Sequence, residues 1–124
     1  MGYSTQFSIS AGPFENKEAA EFFEFKVSKE IDEAFEVDIQ QSYGTKHTGK
    51  YYVNLESEDT KWYEWKQDLS KISTLFPDVT VDVEGTGEES GDIWLARFRN
   101  GESEVVNAEF RFPPFMKLVD NDLI

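Results

Sequence analysis

The sequence predicts an α+β domain, an antiparallel sheet with two helices on one face and a further β-hairpin at its C-terminal end. Three observations predict it. Apolar residues recur at three- and four-residue steps in two stretches, Ala20 to Phe35 and Trp62 to Phe76, which is the period of a helix. Between and around them run short stretches that alternate apolar and polar residues, the period of a half-buried strand. Finally, Asn100-Gly101 stands between two such stretches, and a two-residue hairpin turn needs residues that tolerate positive φ.

The first strand is expected over Tyr3 to Ser10, closed by Ala11-Gly12-Pro13. Asn16 is placed to cap the first helix, whose inner face collects Ala20, Phe23, Val27, Ile31, Ala34 and Phe35. Phe22 and Phe25 fall on the opposite face, among Glu18, Glu21, Lys29 and Asp32. Either that face offers a Phe pair to a partner, or Phe23 to Val27, which also alternates with period two, is a strand. Length and the scarcity of turn residues favour the helix.

Phe35, Val37 and Ile39 alternate with acids and glutamine, and Tyr51, Val53 and Leu55 do the same after a polar connection, so these form a hairpin. The second helix takes its cap from Asp59 or Thr60 and shows a stripe of Trp62, Trp65, Leu69, Ile72 and Phe76 before Pro77 stops it. Val79, Val81 and Val83 make the next strand. An acidic glycine-containing loop follows, and Ile93 to Arg99 and Glu102 to Phe112 flank the Asn100-Gly101 turn.

The order strand, helix, strand, strand, helix, strand matches the split βαβ, or ferredoxin-like, arrangement, with the last hairpin extending the sheet. No linker, repeat or change of composition divides the chain, so residues 1–115 are expected to form one domain and 116–124 a short tail.

The chain of 124 residues holds 25 acids against 12 bases, a net charge of −13. Such a field repels phosphate backbones and anionic membranes and favours basic partners, so direct nucleic-acid binding is not expected. Hydrophobic residues at 39% and aromatics at 15% set the chain apart from disordered compositions. Cysteine is absent, which removes disulfides, thiolate chemistry and Cys-based metal sites. No apolar run reaches the roughly 20 residues a membrane helix needs. Met1 to Ser10 lacks the basic and apolar pattern of a signal peptide. The cytoplasm is therefore the expected compartment.

Between about Tyr51 and Phe112, Trp62-Tyr63, Asp68-Leu69, Phe76-Pro77-Asp78-Val79, the run from Glu84-Gly85-Thr86-Gly87 through Asp92-Ile93-Trp94, and Arg99-Asn100-Gly101 resemble small uncharacterised proteins of phages, prophages and plasmids. These are similar to the YubB-type ferredoxin-like domain family. The resemblance implies an origin on a mobile element, and with it the small inhibitors and host-takeover proteins such elements carry. It implies no catalytic activity.

Several segments carry residue types that could support chemistry. Asp82 to Asp92 has acids and no base, but its spacing fails the EF-hand rule, and Gly85, Gly87 and Gly91 are one residue too long for a dinucleotide fingerprint. A solvated loop is the expectation there, and no metal or other cofactor. Trp62, Trp65 and Trp94 lack the basic groove that base stacking needs and belong to the core. His47, beside Lys46 and Lys50, has no second histidine to make a triad or metal site. Paired carboxylates can hydrolyse glycosides, but no pair stands out among so many.

What remains is acid in two concentrations: Asn16 to Gln40 holds Glu18, Glu21, Glu24, Glu30, Asp32, Glu33, Glu36 and Asp38 with Phe22 and Phe25 interspersed, and Glu84, Glu88, Glu89 and Asp92 follow later in the chain. A rigid carboxylate array can imitate the phosphates of a nucleic acid, and aromatic side chains can anchor an interface. The expected function is accordingly non-enzymatic docking on the basic surface of a protein partner, as an inhibitor or nucleic-acid mimic. Two alternatives stand beside it. One is a structural homodimer formed through Phe22 and Phe25 or a sheet edge; the other is a small carboxylate-dependent hydrolase.

Overall fold

The computed structural model describes residues 4–30, 35–43, 48–89 and 91–107. Their elements run β1 (Thr5–Phe14), α1 (Lys17–Lys29), β2 (Glu36–Gln41), β3 (Tyr51–Thr60), α2 (Trp65–Thr74), β4 (Thr80–Gly87), β5 (Ile93–Arg99) and β6 (Glu102–Asn107). The strands form one open antiparallel sheet in the order β2-β3-β1-β4-β5-β6. The fold is α+β. The stretch from Ala108 onward, and with it the expected continuation of the last strand to Phe112, lies outside the described residues.

Helix α1 starts where the sequence places it but ends at Lys29, short of the expected inner-face residues Ile31, Ala34 and Phe35. Ile31 and Ala34 lie outside the described residues, and Phe35 is buried just ahead of β2 rather than in the helix. The Asn16 side chain accepts the Ala19 amide at 2.8 Å, satisfying one donor of the first turn. Glu18 stands in that turn, and Lys26 and Lys29 in the last, each at the dipole end that favours its charge. Ala20, Phe23 and Val27 are buried. The period-two pattern of Phe23 to Val27 yields to the helix, because only a helix puts Phe23 and Val27 on the same side as Ala20.

Helix α2 starts later than its stripe suggested. Strand β3 runs on through Thr60, whose buried hydroxyl donates to Ser57 Oγ at 2.9 Å, so the helix begins beyond the two residues expected at its cap. The cap position is Glu64, with no side-chain capping bond. Trp62 precedes the helix yet is buried, its indole N–H donating to the Asp68 carboxylate at 2.7 Å. That bond ties the entry segment to the first turn and satisfies the polar handle of a buried Trp.

Strand β1 also outruns its expected end. Ala11 and Gly12 stay in register with Val81 and Thr80 of β4, and only the β3 side becomes irregular, between Ala11 and Phe14. Pro13 falls at that irregularity, where a missing ladder donor is tolerated. The Tyr52 ring lies against Gly12 where a Cβ would stand.

The core lies between the helices and one face of the sheet. Phe7, Ile9, Phe14, Phe23, Val27, Val53, Leu55, Leu69, Val81, Val83 and Phe98 are almost entirely enclosed. At one end Trp65 stacks on Trp94, with ring centroids 4.1 Å apart and planes 12° from parallel, and Phe7 meets both. At the other end Phe76 packs against Phe14, Phe22 and Phe23 and thereby joins both helices to β1. Burying one such side chain stabilises the fold by about 1.5–3 kcal/mol.

The β5–β6 turn is the Asn100-Gly101 hairpin, with φ of 47° and 84°. It is anchored to α2 on both sides of one residue. Ser70 Oγ donates to the Gly101 carbonyl at 2.7 Å, and the Gly101 amide donates to Ser73 Oγ at 2.8 Å. Among the described residues no enclosed side-chain nitrogen or oxygen lacks a hydrogen-bond partner, and no helix is long and apolar enough to cross a membrane.

Candidate functional site: the uncovered face of the sheet

Residues paired in register on neighbouring antiparallel strands share a face. Buried Leu55 pairs with Ile9 and Val37, which fixes that row under the helices. The residues between point the other way. One row there runs Glu36, Glu56, Ser8, Glu84, Leu95 and Val106 across all six strands. The next runs Asp38, Asn54, Ser10, Asp82, Arg97 and Glu104. Among the described residues no helix covers this face.

The two rows bond internally. Ser10 Oγ donates to the Asn54 side-chain oxygen at 2.7 Å, and Gln40 donates to Asp38 at 2.7 Å. Arg97 grips Asp82 with both arms, Nε to Oδ1 at 2.6 Å and Nη2 to Oδ2 at 3.3 Å. The hydrogen bond and the charge of Asp82 raise the Arg97 pKa above its ordinary value, with Glu104 adding to it. Arg99 donates to Thr80 Oγ1 at 3.2 Å. On this face the carboxylates of Glu36, Asp38, Glu56, Asp82, Glu84, Glu102 and Glu104 outnumber these two guanidiniums, and no lysine stands on it among the described strand residues. Alternate residues of a strand are about 6.6 Å apart and neighbouring strands about 4.8 Å, so the acids form a fixed two-dimensional array.

The face is also hollowed. A groove of about 460 Å³ over β1, β4, β5 and β6 is lined by Ser8, Ser10, Asp82, Glu84, Leu95, Arg97, Glu104 and Val106 among others. A second hollow of about 380 Å³ lies towards the other edge, between Ser8, Glu36, Asp38, Asn54 and Glu56. Leu95 and Val106, direct partners in the register, are 56% and 63% exposed in a position where a solvated sheet carries polar residues.

The residues singled out from the sequence do not converge. Glu18, Glu21, Phe22 and Phe25 lie along the exposed side of α1, across the sheet from Glu84. Phe22 is not a free anchor, since its ring meets Phe76 with centroids 5.8 Å apart. Phe25 is 55% exposed with the Lys29 ammonium 5.8 Å from its ring centre. Asp32 lies outside the described residues, as do Lys46 and His47; Lys50 pairs with Glu15.

The acidic loop is shorter than expected. Asp82 to Gly87 belongs to β4, and the connection to β5 starts only after it. Pairing with Ser8, Phe7 and Gln6 continues the ladder through Glu84, Gly85 and Thr86 because the Trp94 ring fills the space Gly85 leaves. Glu88 closes the sheet end by accepting the Ser4 amide at 2.7 Å. Glu89 and Asp92 shape the turn itself, the Asp92 amide donating to the Glu89 carbonyl. Among the described residues no cluster of three or more His, Cys, Asp or Glu side chains is placed to hold a metal ion. The tryptophans serve the core: Trp62 and Trp94 are buried, and Trp65 is stacked on Trp94.

Glu56 and Glu104 were not singled out from the sequence, nor were Leu95 and Val106; Glu36 and Asp38 were grouped there with the acids of the first helix, whereas the structure sets them on β2, on the open face. Their alternation with inward residues was legible, but alternation says nothing of which strands are neighbours. Comparison with known protein families, with curated proteins and with solved structures finds no match to this chain.

Proposed function

We propose that this chain is a non-enzymatic acidic docking protein that binds a basic surface of a protein partner. The observation that carries the reading is the rigid carboxylate array on the uncovered sheet face, set within a net charge of −13. A sheet holds its outward side chains at fixed spacing, so the array presents charge without an ordering cost in the backbone on binding. The same array resists polyanions, which leaves basic protein surfaces, including those that ordinarily take nucleic acid, as the matching partners.

Two finer readings go with this proposal. The order β2-β3-β1-β4, with each helix joining strands that flank a third, supports a ferredoxin-like core extended by β5 and β6. The likeness of the Trp62-to-Gly101 motifs to phage and plasmid proteins supports an origin on a mobile element and work inside a bacterial cytoplasm. Capture from bacterial lysate on the immobilised chain tests the function. A basic protein retained at low salt and released at about 0.5 M salt supports it, because surface charge is screened over a few ångströms there. Retention of nothing, or of partners indifferent to salt, overturns it.

A further inference from the structure

On the acidic face Leu95 and Val106 form an exposed aliphatic pair. In a sheet with one solvated face the outward positions are polar, and β1, β3 and β4 keep that rule in this row with Ser8, Glu56 and Glu84. The two strands beyond them break it, with two aliphatic side chains more than half exposed and directly paired. They line the groove of about 460 Å³ together with Glu84 and Glu104. Arg97 is hydrogen-bonded to Asp82 through both nitrogens, with the charge of Glu104 beside it.

Resting on the acidic-docking reading, we propose that this groove seats a segment of a basic protein in which one aliphatic side chain packs on Leu95 and Val106 while flanking Lys or Arg side chains reach Glu84, Glu104 and Glu56. Charge complementarity selects that occupant. A second copy of the chain would bring its own carboxylates against the same acids, and like charges in close apposition oppose such an interface. A nucleic acid is repelled by the same field. Acids alone would accept any polycation; the aliphatic pair adds a requirement for an apolar residue between the bases.

The test titrates the isotope-labelled full chain with a short synthetic peptide carrying one leucine between pairs of lysines, and with its leucine-to-serine counterpart. The proposal expects amide shifts centred on Ser8, Glu84, Leu95 and Val106, and affinity about 5-fold tighter for the leucine peptide, the scale of a partly buried aliphatic side chain. Leu95→Ser, or Val106→Ser should the first fail to fold, is expected to abolish the difference between peptides and leave the serine peptide's affinity unchanged. Equal affinity for both peptides overturns the groove, while the docking reading stands. Shifts centred on Glu18, Glu21 and Phe25 overturn it likewise and move the site to α1. Saturation of the Leu95 methyl by residues 108–124 of the same chain, or dimerisation at the working concentration, assigns the face to those occupants. Binding of neither peptide at low salt removes both the groove and the docking reading.

Discussion

Trp94 lies over Gly85, its register partner on the neighbouring strand, in the space that a Cβ on Gly85 would occupy. Gly85 is also in register with Phe7 on its other side, and the two aromatic rings meet across it with centroids 5.8 Å apart. The missing side chain is what lets three strands close around one aromatic cluster.

Gly85→Ala is therefore expected to destabilise the fold by about 1–3 kcal/mol, because the added methyl must push Trp94 off its stack on Trp65. Chemical denaturation followed by tryptophan fluorescence measures it, and an unchanged midpoint would refute the packing account.

Ser73 is fully buried, accepts the Gly101 amide and donates to the Ser70 carbonyl at 2.7 Å. Ser73→Ala leaves that amide without its acceptor and is expected to cost about 1–3 kcal/mol. Faster hydrogen exchange confined to the Gly101 amide and its neighbours would locate the loss at the β5–β6 turn. Uniform exchange across the sheet would contradict it.

The two phenylalanines on the outer side of α1 are expected to behave differently. Phe22→Ala removes a ring contact with Phe76 and should cost about 1 kcal/mol, whereas Phe25→Ala, over an exposed cation–π contact, should cost about 0.5 kcal/mol or less. Equal losses in thermal unfolding would show that both rings serve the same role.

Glu36 and Glu56 stand directly opposite on β2 and β3. Like charges in that position are destabilising, so Glu56→Lys is expected to stabilise the fold by a few tenths of a kcal/mol up to about 1 kcal/mol, and less at high salt. The same substitution is expected to weaken capture of a basic partner. A variant more stable and unaltered in binding would place the interface elsewhere.

Arg97 gives the pH dependence a clear sign. Its pKa is raised by Asp82, so its contribution is present below the ordinary arginine range and is lost only as pH rises through still higher values. Deprotonation of Arg97 should therefore add no stability transition in a titration from neutral to moderately alkaline pH.

The sequence by itself determined the element types and their order. Helical spacing from Ala20 to Val27, the Asn16 cap, and Asn100-Gly101 each carry their signal within a few residues, and local backbone energetics decide such features. It also determined the charge. Element ends were less legible: a buried pair, Ser57 with Thr60, keeps β3 going where Asp59 and Thr60 read as a cap, and a ring from another strand makes Gly85 a strand residue where it read as loop. Only the tertiary structure decided the surface. Which acids become neighbours depends on strand order and register, and those are set by burying Leu55, Ile9 and Val83 under the helices. That burial turns Glu36, Glu56, Glu84 and Leu95, far apart in the chain, into one row on the open face.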